Sequence, residues 1–279
     1  MVLVVWLLFV IWFLLFGIFK SLVVYIIMLK AINLTKQFPK TLAVNNLNLE
    51  VENELFVFLG PNGAGKTTSI KMMTGLLAPT KGSVFINEIN LQKQPLAAKR
   101  QFGLVLERPY LYEKLTPREY VVFLAKVYSV PQAQADSRMH QLFEIFEMRE
   151  RMNDLIEDLS QGMKQKTAIV GALIHNPAVL FLDEPTVGLD PPSAKNFKDL
   201  LKGLVKKGTT VFMSTHILEL AEPICDRIGI INKGQLQAVG TLDELYKTSS
   251  KKATTLEQLF LELIGSDGGA MIDRFLEGV

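Results

Sequence analysis

The sequence is short of cysteine, of histidine and of surplus charge, and each shortage excludes something. Cys225 is the only cysteine in 279 residues, so no intrachain disulfide can form, which suits a reducing compartment. Cys225 itself reads as a packing residue. His140, His175 and His216 are too few and too scattered to define a metal site by spacing. With 30 basic side chains against 28 acidic ones, the formal charge of +2 gives no electrostatic case for nucleic acid as a partner. There is no internal repeat. The length is enough for one large α/β domain whose core needs neither disulfides nor metals.

Charge is missing altogether between Met1 and Phe19, and after Lys20 and Ser21 the run Leu22 to Leu29 is apolar again. Roughly 20 such residues, wound as a helix, cross the ~30 Å hydrocarbon layer of a bilayer. No basic residue precedes the run and no small-residue cleavage site follows it, so it is not the pattern of a signal peptide. Lys20 and Lys30 on its carboxyl side would leave everything downstream in the cytoplasm. Two readings of residues 1–27 stand side by side. One is a membrane anchor; the other is an extension upstream of a start at Met28, where a strand-like alternation begins.

What is present is concentrated in two apolar runs. Leu55-Phe56-Val57-Phe58-Leu59 leads into Gly60-Pro61-Asn62-Gly63-Ala64-Gly65-Lys66-Thr67-Thr68, and a helix-compatible stretch follows. Strand, glycine loop and helix in that order form the Walker A pattern. Such a loop wraps phosphate closely, at φ values that a Cβ penalises, and aims backbone N–H groups and a helix amino terminus at anionic oxygens. Lys66 is expected to reach the β- and γ-phosphates of ATP, and Thr67 to ligate Mg²⁺. The second run, Val179-Leu180-Phe181-Leu182, ends in Asp183-Glu184-Pro185. A buried parallel strand delivers carboxylates at its carboxyl end in this way. Asp183 is expected to hold Mg²⁺ through water, and Glu184 to act as the base that polarises the attacking water.

Leu159-Ser160-Gln161-Gly162-Met163-Lys164-Gln165 resembles the signature motif of the ATP-binding-cassette family. Gly188-Leu189-Asp190 resembles that family's D-loop, and His216 in Ser214-Thr215-His216 resembles its switch histidine. The resemblance runs from about Met28 to Leu245 and is nearest to the ATPases of bacterial exporters of the ABC-2 class. It implies a P-loop NTPase (RecA-like) parallel sheet core with an antiparallel β subdomain and an α-helical subdomain. It also implies that Ser160 and Gly162 complete the nucleotide site of a second cassette, in a homo- or heterodimer, rather than their own. Phe38 matches the aromatic that stacks on adenine. Separate transmembrane permease subunits would be the partners, and the chain would lie peripherally at the cytoplasmic face of the membrane, with residues 1–27 as its one candidate anchor. Glu107 departs from the pattern, standing where the family usually has glutamine near the metal. Asn53 and Glu88 occupy turn positions where glycine is common, which predicts a small local cost at Glu88.

The rest of the pattern fits that architecture. Residues 29–53 and 82–91 alternate like antiparallel strands. Thr116-Pro117-Arg118-Glu119 predicts a capping box that opens a helical arm over about 108–165. The amphipathic runs Tyr120 to Tyr128 and Met139 to Met148 are expected in the core, and His175 is expected to be structural. From Ser193 the sequence predicts helix over Phe197 to Val205, strand over Thr209 to Met213, helix over Leu218 to Ala221 and strand over Ile228 to Ile231. Cassette residues 28–245 would then be followed by a tail, 246–279, with Lys247 to Lys252 as loop and a short capped helix from Thr255. The competing class is a soluble cassette ATPase with no role in transport. Translation factors of that kind usually join two cassettes, and repair ATPases insert a long coiled coil, whereas this sequence does neither.

Overall fold

A computed structural model describes residues 27–249 and 253–265. Of the amino-terminal segment 1–27, all but Ile27 therefore lies outside the described residues. Among the described residues no helix is long and apolar enough to cross a membrane.

Alternating side chains build a small antiparallel sheet from β1 (Leu29–Phe38), β2 (Thr41–Val51), β4 (Lys81–Ile86) and β5 (Ile89–Asn90), in the order β2-β1-β4-β5. The larger sheet holds β3 (Leu55–Leu59), β6 (Phe102–Val105), β7 (Val179–Asp183), β8 (Thr210–Thr215), β9 (Arg227–Asn232) and β10 (Gln235–Gly240). Its order is β10-β9-β3-β8-β7-β6, parallel except for the edge strand β10. Every residue of β3, β7 and β8 is buried, as a parallel sheet covered on both faces requires.

Strand period divides the core in two. Leu55, Val57 and Leu59 face a helical layer, whereas Phe56 and Phe58 face the antiparallel sheet. On that second face Phe212 lies 5.5 Å from the ring of Phe56 and 5.4 Å from that of Phe58. Each pair adds about 0.5–1.5 kcal/mol beyond the area it buries.

The helices are α1 (Lys66–Met73), α2 (Pro95–Lys99), α3 (Pro117–Val127), α4 (Gln132–Ile145), α5 (Gln161–Leu173), α6 (Pro191–Lys206), α7 (Leu218–Ala221), α8 (Leu242–Thr248) and α9 (Leu256–Ile264). The capping box at Thr116 and Glu119 forms in both directions, and Val121, Ala125, Met139, Leu142 and Phe143 bury the inner faces of α3 and α4. His175 is structural: its ring stacks on Tyr128 at 3.7 Å, and Nε2 lies 3.1 Å from Phe102 O. The Cys225 thiol is half-buried and pushed up to about 11 by that burial, which keeps it protonated and inert.

Several expectations need correction. Asn53 is not left-handed; its side-chain amide donates to Val205 O at 3.4 Å. Lys247 and Thr248 belong to α8, which a second capping box at Thr241 and Glu244 stabilises, so the loop there is shorter than its polarity suggested. Helix α6 begins at Pro191, well before Phe197, because Asp190 caps it. Strand β8 runs on to Thr215 and β9 spans Arg227–Asn232, each longer than the apolar residues alone indicated. Glu88 does pay the expected strain, at φ 64° in the two-residue Asn87-Glu88 turn between β4 and β5.

Candidate nucleotide site

The central strands end level. Leu59 of β3 pairs with Thr215 of β8, and Ser214 of β8 pairs with Asp183 of β7, so three carboxyl ends meet at one sheet edge. Open α/β sheets place their ligands at such an edge. There the glycine loop, His216, Asp183 and Glu184 converge, and Glu107 follows two residues after β6. A cavity of about 560 Å³ opens between them, lined by Pro61, Asn62, Gly63, Gly65, Lys66, Thr67 and Thr68 of the loop, and by Glu107, Glu184 and His216.

The loop's shape depends on Gly65, the residue before α1, at φ 108°. A Cβ there would be strained and would sit 2.6 Å from Ala43 O. Lys66 is buried; its ammonium donates to Gly60 O at 2.7 Å and Pro61 O at 3.3 Å, and lies 3.5 Å from Glu184 Oε1. Glu184, 6% exposed, sits at φ 47°. Its Oε1 accepts from His216 Nδ1 at 2.8 Å and its Oε2 accepts from Thr215 Oγ1 at 3.1 Å. A side chain held at this many points in a sparsely populated backbone region is positioned for a task.

Asp183 is fully buried. Its Oδ1 accepts a short hydrogen bond from Ser214 Oγ, and its Oδ2 has no partner. A buried carboxylate oxygen left unpaired is costly unless a cation or ordered water completes it. Thr67 and Glu107 line the cavity at the same sheet edge, and carboxylate and hydroxyl oxygens are the donors that suit Mg²⁺.

Other predicted residues lie apart. Ser160 is exposed and caps α5, accepting from Met163 N at 3.3 Å, and neither it nor Gly162 lines the cavity. Gly162 instead abuts the D-loop region, where a Cβ would come within 2.2 Å of Gly188 O. Lys166 in α5 pairs with Asp190 at 2.8 Å, and Gln165 donates to Pro185 O at 3.3 Å. That lysine and the bonds from Ser193 hold the Asp190 carboxyl well below the usual carboxylate range. The amino end of α5 is thus tied to the segment that carries Glu184. Phe38 is neither core nor cavity lining. It stands 39% exposed at the end of β1, with Lys36 Nζ 5.3 Å from its ring centroid, and the wall on that side is made by Thr41, Leu42 and Ala43. Sequence reading missed that wall, and it missed Lys233 and Gly234, which line the cavity from the β9–β10 turn. The dipeptide Lys-Gly between two apolar strands was the available signal.

A parallel sheet whose central strand feeds a glycine loop and helix, with buried carboxylates ending a strand two places away, defines a P-loop nucleotide-binding cassette. Known proteins agree. The sequence profile of the ABC transporter family matches residues 44–187, and the chain belongs to that family. The linearmycin resistance ATP-binding protein LnrL of Bacillus subtilis (strain 168) is 38% identical over 219 residues, 78% of this chain and 70% of that protein. The probable multidrug ABC transporter ATP-binding protein YbhF of Escherichia coli (strain K12) is 36% identical over 240 residues, 85% of this chain. That alignment covers 41% of YbhF, so the chain spans less than half the length of this relative. Among solved structures, an ATP-binding subunit of an ABC transporter superposes with a TM-score of 0.81 at 33% identity, over 85% of this chain and 99% of that one. The dimeric post-hydrolysis state of the ATP-binding cassette MJ0796, bound to ADP and Pi, gives 0.70 at 28% identity, over 77% and 99%.

Proposed function

We propose that this chain binds and hydrolyses Mg·ATP as one half of a head-to-tail cassette dimer, and that it drives transport, in the export direction, through separate permease subunits. The observation that carries the reading is the convergence of Lys66, Glu184 and His216 on one cavity at the end of three level strands, with the buried Asp183 carboxylate ending the strand next to Glu184. In this account the loop N–H groups and Lys66 bind the β- and γ-phosphates, and the exposed ring of Phe38 supplies a surface for adenine. Glu184 takes a proton from the water that attacks the γ-phosphorus; the bond to the β-phosphate oxygen breaks, and ADP and phosphate leave. A positioned base of this kind is worth typically 10²–10⁴-fold in rate. His216 fixes the carboxylate's direction through its 2.8 Å bond. Asp183, Thr67 and Glu107 would hold Mg²⁺, which when bound neutralises charge on the phosphates.

Two observations support the dimer. Ser160 and Gly162 lie outside their own chain's cavity, and the exposed amino end of α5 presents backbone N–H groups suited to an anion. The relatives' names, multidrug and linearmycin resistance, support export. Location at the cytoplasmic face of the membrane follows from the permease partners. Isolating the intact complex from detergent extracts and identifying its subunits tests the transport role. The expected result is a multi-helix membrane protein in fixed ratio to this chain; a complex without one would point to a cassette ATPase outside transport.

A further inference from the structure

The cavity has two sides of opposite character, and only one is explained by hydrolysis. In the sheet order β10-β9-β3-β8-β7-β6, the glycine loop follows β3. On one side of it the ends of β8, β7 and β6 supply His216, Glu184 and Glu107. On the other side the described part of this sheet continues as β9 and β10, whose connecting turn lines the same cavity with Lys233 and Gly234.

That turn is a two-residue hairpin closed by the pair Asn232 and Gln235, with φ 47° at Lys233 and 77° at Gly234. Both central residues at positive φ is the type I′ geometry, for which Asn-Gly is the least strained sequence. Among the described residues nine non-glycine positions have positive φ. Four are asparagine, the residue best suited to it; of the other five, Glu184 and Lys233 line the cavity. Glu184 has a role that accounts for its strain. Lys233 has none within the chain, for it makes no hydrogen bond or ion pair among the described residues.

The turn is also held rigidly against the loop. Gly234 N donates to Ala64 O at 2.9 Å, Asn45 N donates to Gly234 O at 2.8 Å, and Asn232 Nδ2 donates to Ile264 O of α9 at 3.2 Å. Ala64 lies between Gly63 and Gly65 of the phosphate loop. A cation on a rigid turn bonded to that loop, facing a cavity built for a polyanion, stands to gain from the anion more than from any protein group.

We infer that Lys233 is a nucleotide-binding residue, pairing with the phosphates that ATP and ADP share rather than with the one that is transferred. This rests on the nucleotide reading of the cavity and adds to it a contact on the side away from Glu184. The strain at Lys233 is retained because asparagine, the easier residue for the turn, carries no charge.

The test compares full-length wild type, Lys233→Asn and Lys233→Arg by titration calorimetry in detergent with Mg²⁺. ADP is titrated directly, and ATP is titrated with Glu184→Gln added to each protein so that it stays intact. Asparagine suits the left-handed turn, so Lys233→Asn should melt no lower than wild type, and its loss of affinity would not be unfolding. The expected result is a weakening of ADP and ATP alike by about three- to fivefold in Lys233→Asn, the loss of roughly one exposed charge pair, with affinity kept in Lys233→Arg. Wild-type affinity in Lys233→Asn would overturn the assignment, and so would a loss confined to ATP, which would put the lysine at the terminal phosphate. Failure of the wild type to bind either nucleotide would instead overturn the reading of the site itself.

Discussion

The cavity at the sheet edge and the amino end of α5 are both shaped for phosphate, yet they are built differently. The cavity is closed on itself. Lys66, Glu184, His216 and Thr215 satisfy one another, and the partnerless Asp183 oxygen is buried among them. The α5 end is open: Ser160 is exposed, and the helix is braced from behind by Gly162 against Gly188 and by Lys166 against Asp190. A buried catalytic group needs fixed partners to hold its geometry, whereas a surface meant for another molecule needs rigid support and a free front. In the proposed reading the same chain therefore carries an acid–base centre and a half-site that its own cavity does not use.

Breaking the open half should have the largest effect. Ser160→Arg places a bulky cation at the exposed cap, so ATPase activity should fall to background, while ATP binding by the isolated chain, measured by calorimetry, stays within a few-fold of wild type. Full ATPase activity in pure Ser160→Arg would show that α5 serves no second site. In the closed half, Glu184→Gln should slow hydrolysis by at least roughly 10²-fold with ATP binding intact, because it removes the base and leaves the phosphate loop alone. Turnover within a few-fold of wild type would place the base elsewhere.

A smaller effect should come from His175, behind the α3–α5 layer. Burial, aided by the positive charge of Arg138, outweighs the bond to Phe102 O and lowers its pKa to about 4 from 6.5. Between those values the unfolded chain binds a proton that the folded chain refuses. This share of the stability is therefore complete above pH 6.5 and is lost as pH falls to about 4. The loss is about 3 kcal/mol at most, and less to the extent that solvent reaches the half-buried ring. Thermal melts of wild type and His175→Phe across that window should converge as pH falls; parallel curves would show that His175 titrates normally. Glu88→Gly should give the smallest change, a stabilisation of about 0.5–1 kcal/mol, since relief of left-handed strain exceeds the added chain entropy. Unchanged or lower stability in chemical denaturation would mean that the glutamate side chain earns its place.

Much of this was legible in sequence because it is local. Continuous apolar runs can only be covered strands, so β3 and β7 were plain, and the glycine loop and Asp183-Glu184 inherited their positions from them. The capping residues at Thr116 and Thr255 announced their helices for the same reason. What was not legible depends on residues far apart in the chain. Strand β10 has an alternating, half-exposed pattern that means little until β9 pairs with it, and Lys233 reaches the cavity only because Gly234 bonds to Ala64. Phe38 shows the converse: a resemblance suggests a role for it, but its place at an exposed strand end, outside the cavity lining, is a matter of how β1 and β2 pack against the loop.

The division into a closed centre and an open half-site is tested most directly by mass. Glu184→Gln, analysed by light scattering with and without Mg·ATP, should double its protein mass when ATP is present, and adding Ser160→Arg should abolish the doubling without abolishing ATP binding. A protein that stays monomeric with ATP bound, or one that still doubles with Ser160→Arg in place, would contradict the account.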